Sequence, residues 1–163
     1  MKILAIDPGN IFSAYCVINS EYEIIEKGKV PNESLSIWLR HRDQLPFTLD
    51  KVIIEMIGFM GMGVGKDVFE TCVWIGRFIE CAETLPVEYI YRRQEKIVLC
   101  GTMKAKDTNI RAALIKRFAK FDFKNGKGTK DNPDFFYGVK ADIWSAFAVG
   151  VTYLDLAKQV KKP

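Results

Sequence analysis

Histidine is almost missing from this sequence, at 1 residue in 163, and the 4 cysteines fall at Cys16, Cys72, Cys81 and Cys100, with no CxxC spacing. That excludes a zinc site built on paired cysteines and a disulfide framework of the kind small secreted domains use. Each cysteine lies beside apolar residues and reads as a small core side chain in a reducing compartment. No stretch approaches the roughly 20 apolar residues a membrane span needs, and the apolar run after Met1 and Lys2 is too short for a secretion signal. A cytoplasmic protein with no membrane partner is expected. A phosphate-binding loop is disfavoured as well: residues 57–66, IGFMGMGVGK, are rich in glycine, but Lys66 is followed by Asp67 where a serine or threonine is needed, and the GxGxxG match fails. His41, the single histidine, falls in an exposed basic cluster and reads as a surface residue.

What is present is enough for one domain over 1–163, since 48% of the residues are hydrophobic and 12% aromatic. The net charge is only +4, but it is unevenly spread. Between Arg92 and Lys130 twelve Lys or Arg stand against three acids, Glu95, Asp107 and Asp122; between Asp67 and Glu88 five acids face one Arg. A basic side of that kind suits a phosphate backbone.

The opening stretch MKILAIDPGN carries four apolar residues straight into Asp7 and a Pro8-Gly9 turn, which places a carboxylate at the solvent end of a buried strand. Residues 51–56, KVIIEM, repeat the form and deliver Glu55. The third acid is Asp142, near the start of a helical pattern over 139–160 whose small residues Ala141, Ser145, Ala146, Ala148 and Gly150 would let it lie close to a sheet. Strands are predicted over 2–7, 12–18, 22–30, 51–56 and 87–91. Helices are predicted over 33–42 with Asn32 as cap, 67–84, 94–99, and 108–119 with Asp107 as cap. Residues 121–136 lack periodicity and read as a long loop, poorly ordered without a ligand. The order βββαβαβαα describes an α/β domain with an antiparallel three-strand meander and a parallel part, in which strands one, four and five lie side by side. Asp7 and Glu55 are then neighbours at the carboxyl ends of parallel strands. The helix over 67–84 has apolar residues on more than one face, and the surplus points to a homodimer.

Carboxylates brought together raise one another's pKa and need a cation to stay ionised. With oxygen ligands only, that cation is Mg²⁺, Mn²⁺ or Ca²⁺. Two such ions about 4 Å apart form the clamp used for phosphoryl displacement. The blander reading gives Asp7 to a turn, Glu55 to a strand end and Asp142 to a helix cap. Beyond the acids, Lys104 and Lys106 lie in a polar turn before a helix, a good phosphate site, while Phe59, Met60 and Met62 on the glycine-rich loop offer apolar contact to an unstacked base.

Taken together, the DPG start, the glutamate in the fourth strand, the glycine- and aromatic-bearing loop behind it, the lysines before a helix and the terminal D-x-x-S-A-F-A-V-G resemble the RuvC-type Holliday junction resolvases. These belong to the RNase H-like nuclease superfamily, and the divergence is similar to that of a phage-borne branch. The resemblance implies an RNase H-like mixed five-stranded sheet flanked by helices, and a homodimeric, two-metal endonuclease that resolves four-way DNA junctions with Mg²⁺ as cofactor, Mn²⁺ being the alternative. It implies Asp7, Glu55 and Asp142 as metal ligands and catalytic residues, with Lys106 the best match for a catalytic lysine. Phe59 corresponds to an aromatic that probes bases at the crossover, with Met60 beside it. Arg92, Arg93, Lys96, Lys104, Lys106 and Arg111 are the DNA-binding set. The family's terminal helix carries an acid or histidine and, three positions later, an aspartate; with Asp142 in the first slot the second falls on Ser145, with Asp142 in the second the first falls on Val139, and either way one expected ligand is replaced. Other readings are a ribonuclease H, a branched-DNA binding module with little catalysis, and a sugar kinase or actin-like ATPase, for which the chain is half the required length.

Overall fold

A computed structural model describes residues 1–58 and 64–160. Within them the sheet has five strands, β1 (Lys2–Asp7), β2 (Phe12–Asn19), β3 (Ile24–Pro31), β4 (Lys51–Met56) and β5 (Val87–Tyr91), ordered β3-β2-β1-β4-β5. The first three pair antiparallel, while β1–β4 and β4–β5 are parallel. The helices are α1 (Asn32–Arg40), α2 (Lys66–Ala82), α3 (Arg92–Cys100), α4 (Asp107–Phe118) and α5 (Ile143–Val160). The expected meander and the expected neighbours of β1 are both present.

β1 is continuous apolar sequence because both its faces are covered. Ile3 and Ala5 face the layer of α4 and α5, while Leu4 and Ile6 face that of α1 and α2, and all four are fully buried. Alternation along one strand thus serves two cores, Ile3, Leu4 and Ile6 each contributing roughly 1.5–3 kcal/mol. The small residues of α5 let it settle on the sheet. A Cβ at Gly150 would lie 2.7 Å from Ile18 Cδ1 and 3.2 Å from Ala5 Cβ. The outermost strand β3 is mostly exposed and carries Glu26, Lys27 and Lys29, charges that discourage edge-to-edge pairing.

Several local expectations need correction. Asn32 is the first residue of α1 and not its cap. Its buried side chain instead accepts from Ser13 Oγ at 2.6 Å and donates to the Gly9 carbonyl at 2.8 Å, tying the β1–β2 turn to the helix. Asp107 opens α4 as a helical residue, and Lys106 precedes it. α3 begins at Arg92, two residues early, and α5 begins only at Ile143, because Gly138 and Ala141 adopt positive φ of 77° and 46°. Residues 121–136 contain no helix or strand but are well built: the buried Asp134 carboxylate accepts the backbone N–H groups of Lys120, Phe121, Asp122 and Phe135 at 2.7–3.0 Å. Among the cysteines, Cys16 and Cys81 are buried, whereas Cys72 is exposed on α2.

Candidate functional site

The site begins with strand register. Ile6 of β1 pairs with Ile54 of the parallel β4, so the next residues, Asp7 and Glu55, emerge side by side at the carboxyl end of the sheet. The chain must then leave β1 sharply. At Gly9 a Cβ would come within 2.3 Å of the Phe12 carbonyl oxygen, so the turn that frees Asp7 requires glycine. The two carboxyl groups lie close enough to act on each other's proton affinity. Burial, then the Glu55 and Asp142 charges, push Asp7 up to about 8, with Arg92 pulling the other way. Burial likewise raises Glu55, again opposed by Arg92. Such a pair must share a proton or hold a cation.

Beneath them lies a group that sequence reasoning missed. Glu95, in the first turn of α3, is fully buried; Arg92 Nη1 donates to its Oε2 at 2.6 Å, and its Oε1 has no partner among the described residues. Burial, with the Glu55 and Asp7 charges, raises Glu95 to about 9. Arg92 also pairs through Nη2 with the exposed Asp107 at the start of α4. In the sequence Glu95 counts as one acid in a basic run. The signal that could have found it is an Arg-x-x-Glu spacing in the first turn after a strand, which places both groups on one helix face.

Asp142 does not complete the expected cluster. It sits in the turn before α5 and not on the helix; it is close enough to Asp7 to raise its pKa, but its carboxylate is paired with Lys29 of β3. Among the described residues no three His, Cys, Asp or Glu side chains gather as a ready metal site. A third carboxylate beside Asp7 and Glu55 would add repulsion, and Lys29 offers Asp142 a favourable partner. That pair is half-exposed, with side chains 40% and 52% accessible, and so is worth only about 0–1 kcal/mol. Ser145, in the first turn of α5 and partly buried, brings no charge. On this donor set the residues fit one hard cation, at Asp7 and Glu55; a second has Asp142 only if Lys29 lets go.

A groove of about 980 Å³ opens over the carboxylates, lined by Asp7, Glu55, Arg92, Arg93 and Lys96 with Tyr89, Tyr91 and Met103. Three of the predicted DNA-binding cations thus share a cleft with the acids. Lys104 and Lys106 are exposed on the turn before α4. Arg111 is placed elsewhere, its guanidinium 4.6 Å from the centre of the Trp144 ring. Phe59 and Met60 lie outside the described residues. Tyr89 and Tyr91, 41% and 42% exposed, are aromatic groove residues that sequence reading assigned only to a strand.

No protein-family profile matches the sequence, and no curated protein matches it either. Solved structures do. Thermus thermophilus RuvC in complex with a Holliday junction superposes with a TM-score of 0.74 at 14% identity, over 98% of this chain and 96% of that one. T. thermophilus RuvC alone gives 0.70 at 17%, over 98% and 97%. The fowlpox virus Holliday junction resolvase gives 0.51 at 19%, over 96% and 99%. The chain has, over nearly its whole length, the RNase H-like fold of RuvC.

Proposed function

We propose that the chain is a metal-dependent endonuclease that resolves four-way DNA junctions by paired nicks, leaving 5′-phosphate and 3′-hydroxyl ends. One observation carries the reading: two half-buried carboxylates, Asp7 and Glu55, at the ends of parallel strands in a groove that also presents Arg92, Arg93 and Lys96. An acidic pair alone would repel a phosphodiester. An acidic pair that holds a cation, rimmed by fixed positive charge, attracts one. The likeness to a RuvC structure that contains a Holliday junction supports the choice of substrate.

Asp7 and Glu55 hold the ion, Mg²⁺ or Mn²⁺, and Asp142 adds its charge when Lys29 releases it. When bound, the ion supplies Lewis-acid activation of water and stabilisation of the leaving oxygen. The chain's own residues do the rest. Arg93, Lys96, Lys104 and Lys106 take backbone phosphates, contacts that position DNA without reading its sequence. Tyr89 and Tyr91 offer faces on which an unstacked base can rest. A junction with two-fold symmetry calls for two copies of the chain, and the outer face of α2 suits that contact: Phe69 and Val73 are 61% and 58% exposed on a helix whose other face is buried.

The test is incubation with a mobile four-way junction and each divalent cation, with products mapped on every arm. Symmetrical nicks are expected in Mg²⁺ or Mn²⁺. A hybrid duplex cut faster than the junction would favour a ribonuclease H. The Lys29–Asp142 pair and the uncharged Ser145 favour a second reading, a branched-DNA binding protein with little catalysis; junction retardation with no nicking in either metal would select it.

A further inference from the structure

Beyond the groove, a second set of cations stands on the other side of Asp7. A cleft of about 450 Å³ separates the edge strand β3 from the turn before α5, lined by Lys27, Lys29, Gly138, Lys140 and Ala141. Strand register fixes its place. Asp7 pairs with Ala14 and Ala14 with Lys29, while Ala5 pairs with Cys16 and Cys16 with Lys27. Paired residues share a face of the sheet. Both lysines therefore stand on the α5 face, as Ala5 and Asp7 do, and Lys29 lies in the same row as Asp7, two strands or about 10 Å away. Strand order then sets Asp7 between two basic flanks, with Arg92, Arg93 and Lys96 beyond β4 and β5 on one side and β3 on the other.

The charges in the cleft are available to a ligand. Among the described residues Lys27 and Lys140 enter no salt bridge, and Lys29 has only its half-exposed pair with Asp142. The one acid lining the cleft, Glu26, pairs in register with Val17, which belongs to the opposite core, so its carboxylate stands on the other face. Lys27 reaches across to the turn: a Cβ at Gly138 would meet its Cε at 3.6 Å. Protection of an edge strand accounts for charge on β3, but not for Lys140, which converges on the same cleft from another element.

We propose that this cleft is a second phosphate site, which takes the DNA backbone about three phosphates away from the one cut at Asp7 and Glu55. Its occupant rests on reading the chain as a junction nuclease. Phosphates follow one another at about 3.4 Å along each strand, so about three steps cover the distance from the Asp7 row to the Lys29 row. A phosphate in the cleft meets two unpaired ammonium groups and draws Lys29 from Asp142, since an exposed ion pair gives way readily. Contacts of this kind read no sequence; they fix which phosphate arrives at the carboxylates.

Binding to a mobile four-way junction without added divalent metal, over a range of salt, tests this, with nicks mapped separately in Mg²⁺. Lys27→Gln combined with Lys140→Gln should lower the salt slope of binding by about 2, one for each lost contact. Ethylating junction phosphates about two to four steps from the nick should impair binding of the wild type and make little difference to the double variant. Lys158→Gln is the control, a lysine that donates to the Ser20 carbonyl at the opposite end of the sheet, and it should leave the slope unchanged. Circular dichroism checks folding; should the double variant not fold, Lys140→Gln alone, on the exposed turn, decides by a shift of about 1. An unchanged slope in the folded variant, or an equal fall per charge in Lys158→Gln, would overturn the cleft while the mapped nicks keep the nuclease reading. A lowered slope in a chain that binds junctions but cuts none would support the cleft and sink the nuclease. A chain that binds no junction removes both.

Discussion

Two regions of the molecule hold carboxylates wholly or partly withdrawn from water, and they treat them in opposite ways. Asp134 is 4% exposed, and burial alone would raise its pKa, but four backbone N–H groups outweigh burial and hold it well below the usual carboxylate range. Among the described residues Asp7 and Glu55 accept no such backbone donors, Glu95 accepts only from Arg92, and all three are pushed upward. The first carboxylate is a structural hub whose needs the fold has met; the others are left wanting positive charge. Unmet demand of that kind, in a groove, is what separates a binding site from a brace.

The contrast is broken most directly at Asp7. Asp7→Asn or Glu55→Gln should reduce junction nicking by about 10³-fold or more, as loss of metal catalysis implies, while junction binding persists in a gel-shift assay. Without metal these variants should melt no lower than the wild type, because they relieve repulsion. A folded variant that no longer binds DNA would contradict the assignment. Asp134→Ala should do the reverse, lowering the melting temperature through the abandoned amides and leaving intact the ion affinity of whatever protein remains folded.

Acidity sharpens the same contrast. Asp7 and Glu95 bind protons more tightly when folded, so the metal-free chain should be most stable near pH 5 and lose stability as pH rises toward about 8 and 9. Asp134 has the opposite sign, its contribution being lost only under strong acid. Thermal melts from pH 5 to 9 should slope downward without metal and flatten when Mg²⁺ is added; an upward slope without metal would count against the buried acids. Smaller effects belong to the rim. Lys106→Ala should weaken binding to junctions of any sequence and reduce the salt slope of binding by about 1. Lys29→Ala should be the mildest, costing under about 1 kcal/mol of stability while freeing Asp142 and tightening ion binding slightly.

Much of this was legible in the sequence. The apolar runs 3–6 and 52–54 announce strands buried on both faces, the short turns announce the meander, and the two runs end in acids at matching positions, from which the Asp7–Glu55 pairing follows. What could not be read was anything set by side chains reaching between distant elements. Lys29 taking Asp142 depends on how β3 passes the turn before α5. Glu95 is invisible because its burial is set by how α3 packs on the rest of the fold, with Arg92 of the same turn as its partner. Nor does composition show that residues 121–136 are organised, since the amides that Asp134 gathers come from across the loop.

Gly150 has one more consequence. With no side chain at Gly150, helix α5 lies close against Ala5 of β1 and Ile18 of β2. Asp7 ends β1 and Asp142 precedes α5, so how closely that helix seats on the sheet bears on the span between the two acids. Gly150→Ala, about two turns into α5, should therefore lift the helix from β1 and β2, and the expected readout is a lower melting temperature.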